Sequence, residues 1–245
     1  RQDSMRLNGA SAYGNYAEGD ITLEIRPGNT CNFSCQTCWP QASTRVANHY
    51  KKANIEFIPD SKVEWSLDAI DSIKHRIRDV VILGGEPFYD PNCLDFLNWL
   101  QQNKINCNLT IFTNGSVIDK TFLENFTNRI TLVFSLDAIG KPAEYIRFGT
   151  KWQEVERNFL YAKTLDHVST RVNITVSPYN YFYYGDLVQW LCDDWPEVVS
   201  FGIAKMNYFA DKLLDESAIP MQNRQKAIES LTQTIQKLQK SDIES

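Results

Sequence analysis

Cys31-Asn32-Phe33-Ser34-Cys35-Gln36-Thr37-Cys38 places three cysteines within eight residues. They follow a strand-like segment, Ile21 to Arg26, and a turn at Pro27-Gly28-Asn29. Three thiolates spaced CxxxCxxC suit a cubane iron–sulfur cluster, each holding one iron and leaving the fourth iron open. An open coordination position is what a metal site needs if it is to do chemistry rather than only brace a fold. Two plainer readings stand beside this one: a zinc knuckle, or chance clustering of buried thiols. Structural zinc wants a fourth ligand, usually a second CxxC or a nearby His. The nearest candidate, His49, has no paired ligand beside it.

Outward from the loop, apolar strand-like runs recur at Ile21–Ile25, Asp79–Leu83, Asn108–Phe112, Ile130–Phe134, Val172–Val176 and Val198–Ile203. Between them lie stripes at helical spacing. These are Trp65, Leu67, Ile70, Ile73, Ile77; Leu94, Phe96, Leu97, Leu100; Phe122, Leu123, Phe126, started by Asp119 or Thr121; Trp152, Val155, Phe159, Ala162; and Leu187, Val188, Trp190, Leu191. Strands alternating with helices predict βαβ units and a parallel sheet, an α/β fold. Six strands are too few for a complete eight-stranded barrel. Periodicity alone leaves a partial, open barrel and a doubly wound sheet both standing. A further helix is predicted over about 218–243, with Pro220 in its first turn and a stripe of Ala227, Ile228, Leu231, Ile235 and Leu238 docked on the barrel. Residues 1–19 read as an arm, 20–205 as one domain and 206–245 as a mostly helical extension.

The chain has 245 residues, 43% hydrophobic, with a net charge of −5. That balance argues against a broad nucleic-acid surface, though not against a nucleotide-sized substrate. No apolar run approaches the roughly 18 residues of a membrane span. Six cysteines with three crowded into one loop do not resemble a secreted disulfide framework, so a reducing, cytoplasmic setting is expected.

Leu83-Gly84-Gly85-Glu86-Pro87 directly follows the second strand run. Paired glycines at a strand end let a ligand come close to the backbone, and Glu86 offers an acceptor for an ammonium group. Read alone, GGEP is also ordinary turn chemistry. Its place at the C-terminal end of a parallel strand is where α/β barrels put active sites. The same reasoning picks out Thr113-Asn114-Gly115 and Ser135-Leu136-Asp137, while Asn173 lies inside the fifth strand.

CxxxCxxC after the first strand and GGEP after the second resemble the radical S-adenosylmethionine (SAM) superfamily. Cys38-Trp39-Pro40 with Ser43, Thr113-Asn114-Gly115, Glu144-Tyr145-Ile146-Arg147 with Trp152, and Val176-Ser177 with Asn180 and Trp190 extend the likeness over roughly residues 20–200. Together they resemble twitch-domain-containing radical SAM proteins, many of them phage-encoded or of unassigned activity. The resemblance implies a partial (β/α)6 TIM-like barrel with a C-terminal helical extension. It implies that Cys31, Cys35 and Cys38 ligate a [4Fe-4S] cluster whose unique iron is chelated by SAM. Gly84, Gly85 and Glu86 then lie against the methionine amino group, with Pro87 fixing the turn. Thr113, Ser135 and Asn173 match positions contacting the methionine carboxylate or the ribose, and Asp137 is a candidate for a ribose hydroxyl. Arg147 is a candidate carboxylate or substrate contact, or else a helix-start residue in a surface salt bridge. Phe33 and Trp39 flank the cluster, as shields, as adenine neighbours or as plain packing.

The implied activity is reductive cleavage of SAM to a 5′-deoxyadenosyl radical that abstracts hydrogen, from a peptide or protein side chain or from a small-molecule or nucleotide-precursor substrate, as in carboxy-deazaguanine synthases. A low-potential electron donor such as flavodoxin or ferredoxin is the implied partner. A non-catalytic metal-binding module is the reading from a different class. Cys93, Cys107 and Cys192 form no CxxC pair and are expected to be buried structural thiols. Twitch domains carry extra cysteines after the barrel, and no cysteine follows Cys192.

Overall fold

Strand order settles the choice that periodicity left open. The computed structural model describes residues 19–58, 66–194, 201–205 and 219–244. In chain order these form β1 (Ile21–Ile25), β2 (Ser34–Cys35), α1 (Thr44–Lys52), α2 (Leu67–Asp71), a 3-10 turn (Lys74–Arg76), β3 (Ile77–Ile82), α3 (Pro91–Gln102), β4 (Asn108–Thr113), α4 (Lys120–Asn125) and β5 (Ile130–Ser135). There follow α5 (Gly140–Ile146), β6 (Arg147–Phe148), α6 (Trp152–Lys163), β7 (Val168–Val176), α7 (Tyr184–Asp194), β8 (Phe201–Lys205) and α8 (Met221–Glu244). The six longer strands make one sheet in the order β1-β3-β4-β5-β7-β8, every neighbouring pair parallel. Sheet order follows chain order without reversal. A doubly wound sheet needs a reversal, so this sheet winds one way only, as a partial barrel does.

The core lies between the sheet and its helices. Val80, Ile82, Leu109, Ile111, Leu132, Phe134, Val172 and Ile174 are buried from the strands, and Phe96, Leu97, Leu100 and Phe159 from α3 and α6. Phe134 and Phe159 meet edge to face at 4.9 Å, and Trp152 meets Trp190 the same way at 5.2 Å.

Three expectations need correction. The stripe ending at Ile77 does not stay helical: α2 stops at Asp71, and Ile77 is the first residue of β3, paired with Ile21. A buried β-branched residue gains more in the parallel ladder than in a one-turn helical continuation. The predicted α8 stripe is also rotated. Ala227 and Thr234 are buried and Leu231 packs on the core, whereas Ile228 and Ile235 are 51% and 53% exposed. The cause is α7: a Cβ on Gly185 would meet Thr234 Oγ1 at 2.9 Å and Ser230 Oγ at 3.2 Å, so the close approach selects the small face of α8. Third, α1 and α5 have no counterpart in the predicted elements, and neither do the two-residue strands β2 and β6. Residues 1–18, Trp65, residues 198–200, Ala218 and the side chain of Leu238 lie outside the described residues. Among the described residues no helix is long and apolar enough to cross a membrane.

Candidate active site

The cysteine loop leaves β1 and is clamped from three sides. Backbone pairing continues past the strand, with Leu83 N–H donating to Ile25 O at 3.0 Å. Glu86 N–H then donates to Thr30 O at 2.9 Å, and Thr30 N–H to Asp90 Oδ2 at 2.7 Å. Asp90 is fully buried, and its other oxygen caps α3 through Asn92 N–H at 2.9 Å and Cys93 N–H at 3.4 Å. Gly84 adopts φ +141°, and a Cβ there would stand 2.5 Å from Gly28 O; one on Gly85 would collide with the backbone of Asn29 and Thr30. The close approach these glycines permit is therefore used by the chain's own loop. On the far side Gln36 N–H donates to Ile146 O at 2.8 Å, and β2 pairs antiparallel with β6, setting Cys35 opposite Arg147.

Side-chain donors face two of the sulfurs. Cys31 Sγ accepts from Phe33 N–H at 3.4 Å and lies 4.0 Å from Asn114 Nδ2. Asn114 is held in turn by Asn32 Oδ1 at 2.9 Å and by Ser116, whose N–H and Oγ donate to Asn114 Oδ1 at 2.9 and 2.6 Å. Arg147 Nη1 lies 4.0 Å from Cys35 Sγ, and its Nε is 2.8 Å from Asp137 Oδ2.

Burial raises the Cys31 thiol, pushes Cys35 up to about 12 and Cys38 up to about 11. Thiols so buried become thiolates when a metal replaces the proton, so the donor set fits a metal centre. A single tetrahedral ion would draw its sulfurs to within about 4 Å of each other. Among the described residues no three His, Cys, Asp or Glu side chains converge on one ion, and His49 is exposed on α1. Three thiolates are the donor set a cluster takes, one sulfur per iron with the fourth iron left open.

The other expected positions divide by how fully they are engaged. Glu86 is fully buried and accepts from Thr113 Oγ1 at 2.7 Å, Asn114 N–H at 2.6 Å and Phe88 N–H at 3.3 Å. Desolvation raises its carboxyl to about 7 despite those donors. Thr113, beyond its bond to Glu86, accepts from Gly115 N–H at 3.0 Å. Ser135 and Asn173 are register partners on β5 and β7, both half-buried. Asp137 is fully buried, and its Oδ1 accepts from Thr175 N–H at 2.9 Å while Oδ2 faces Arg147. Arg147 caps the C-terminal end of α5, with its side chain 13% exposed. It is therefore neither a helix-start residue nor in a surface salt bridge. Phe33 is buried behind the loop, Pro87 is buried beside Glu86, and Trp39 is 40% exposed.

Asp90 and Ser116 were not among the expected site residues. Asp90-Pro91 is a helix-start signal, but its second bond to Thr30 spans 60 residues and leaves no local trace. Cys93 and Cys107 are buried as expected, and burial raises both thiols to about 12, whereas Cys192 on α7 is only half-buried. Of the tyrosine-rich stretch after β7, Tyr184 is buried, Phe182 and Tyr183 are exposed, and Tyr179 meets the exposed Tyr145 at 6.3 Å.

A cavity of about 490 Å³ opens at the opposite, N-terminal end of the strands, lined by Arg78, Asp79, Asn108 and His167 among others. Several of its polar groups pair with protein: Arg78 with Asp20, Asn108 with Asp79, and His167 with Leu123 O. The chemistry belongs to the cysteine end.

A one-way parallel sheet with a three-thiol loop at the C-terminal strand ends defines an α/β partial barrel built around a metal centre. The chain belongs to the Radical SAM superfamily, whose pattern matches residues 25–191. The characteristic cofactors of that superfamily are a [4Fe-4S] cluster and SAM. Among solved structures it is similar to native anSMEcpe with bound AdoMet, at TM-score 0.61 and 17% identity, covering 86% of this chain and 59% of that one. It is also similar to Streptococcus suis SuiB bound to the precursor peptide SuiA, at TM-score 0.59 and 19% identity over 90% of this chain and 47% of that one. TYW1 with a lysine-pyruvate adduct bound aligns at TM-score 0.50 and 17% identity, over 86% of this chain and 73% of that one. The chain thus spans about half to three-quarters of these structures' lengths. Among curated protein sequences none matches it.

Proposed function

We propose that this chain is a radical SAM enzyme of the twitch-like type that modifies a peptide or protein side chain. Residues 20–205 form its catalytic core and 206–245 an extension carrying α8. The observation that carries the chemistry is the gathering of Cys31, Cys35 and Cys38 on one clamped loop where six parallel strands end. Held by Cys31, Cys35 and Cys38, a [4Fe-4S] cluster would supply the electron for reductive cleavage of SAM and so the radical that abstracts hydrogen. The chain's own part is orientation and exclusion of water. The three thiolates hold the cluster, and the Gly84–Pro87 turn holds the loop that carries them. Ser135 and Asn173 are the half-buried polar pair left to receive SAM, with Gly84 and Gly85 beside its methionine end. Trp39, exposed next to Cys38, covers the cluster from solvent.

A peptide substrate is supported by the structural likeness to SuiB with its precursor peptide and to anSMEcpe, also solved with a bound peptide. A second reading keeps the same chemistry on a small-molecule or nucleotide-precursor substrate. The reducing, cytoplasmic setting and a flavodoxin or ferredoxin donor follow from the same reading.

Anaerobic reconstitution, then SAM and dithionite, tests the chemistry. The expected result is 5′-deoxyadenosine released by the wild type and abolished by Cys35→Ala. Equal release from that variant would remove Cys35 as a ligand. Faster release with a synthetic peptide pool than with a nucleoside and pterin pool supports the peptide reading, and the reverse order supports the second.

A further inference from the structure

We propose that Arg147 is a positioning residue that sets the reduction potential of the cluster, its charge fixed in place by Asp137. The inference rests on Cys31, Cys35 and Cys38 being the cluster ligands. Strand β6 is two residues long, and its antiparallel pairing with β2 sets Arg147 directly opposite Cys35. An ion pair holds the guanidinium there. Its Nε is 2.8 Å from Asp137 Oδ2, and Asp137 is itself held by Thr175 N–H at 2.9 Å. A continuous line thus runs from the β7 backbone through Asp137 and Arg147 to Cys35 Sγ, 4.0 Å from Nη1.

The consequence is electrostatic. One-electron reduction adds a negative charge to the cluster, and a cation held at fixed distance where water is largely excluded favours the reduced form. Asp137 opposes this from the far side of the guanidinium, one step further from the sulfur. The two residues therefore push the potential in opposite directions, a signature that a merely structural brace does not give.

The test is an EPR-monitored redox titration of the reconstituted wild type, Arg147→Gln, Arg147→Lys and Asp137→Asn, without SAM and with iron and sulfide assayed in each. Arg147→Gln is expected to shift the midpoint to more negative values, Arg147→Lys to stay near the wild type, and Asp137→Asn to shift it to more positive values. Unchanged midpoints, or shifts of the same sign in Arg147→Gln and Asp137→Asn, would overturn the inference while leaving the cluster assignment intact. If Arg147→Gln loses its cluster, the sign of the Asp137→Asn shift decides. A wild type that takes up no iron and sulfide instead overturns the underlying cluster assignment.

Discussion

Burial of Glu86 behind Thr113 and Asn114 holds its carboxyl at about 7, against an ordinary value of 4.5. The unfolded chain releases that proton near 4.5, so between there and pH 7 the folded state binds more protons than the unfolded one. Stability must then fall as pH rises through this window, by up to about 3 kcal/mol. Urea unfolding of the metal-free wild type and Glu86→Gln checks it. The wild type's advantage over the variant should shrink between pH 4.5 and 8, and a constant difference contradicts the assignment. At this scale the three cysteines were legible because their spacing is local. The partners of Glu86, Asp137 and Arg147 were not, since each lies on another strand end and the fold alone brings them together.

The clamp on the cysteine loop belongs to whole elements. Asp90 joins the start of α3 to the end of the β1 loop, so Asp90→Ala removes a helix cap and a buried acceptor together. A loss of about 2–4 kcal/mol is expected in chemical denaturation, along with less iron retained on reconstitution. Loss of stability with full iron retention would show that Asp90 braces only the helix. The seat of α8 makes a second prediction. Ile228→Glu should change stability by less than about 0.5 kcal/mol, whereas Ala227→Leu, overpacking the α7 contact, should cost about 1–3 kcal/mol. The reverse ranking in thermal melts would restore the stripe that periodicity suggested. The six sheet strands were readable because buried parallel strands are runs of Ile, Val, Leu and Phe. Helix α1 was not, because Val46 is its one buried residue and its start rests on the Ser43 cap. In α8 the apolar period was present, but a glycine on another helix chose the face.

For the whole molecule, sheet order is what converts separate motifs into a site. With β1, β3, β4, β5, β7 and β8 side by side and parallel, every C-terminal strand end opens on one rim. The CxxxCxxC loop, the GGEP turn, Asn114 and Ser135 share that rim although 104 positions separate Cys31 from Ser135. Among the described residues the sheet runs from β1 to β8 without closing on itself, where a closed barrel would have no edge strand. On this rim Cys31, Cys35 and Cys38 would hold a [4Fe-4S] cluster with one iron open to SAM. EPR of the dithionite-reduced, reconstituted protein before and after SAM addition tests it most directly. A [4Fe-4S]⁺ signal whose g-values shift on adding SAM is the predicted result. A cluster signal indifferent to SAM, or a colourless protein holding stoichiometric zinc, would contradict it.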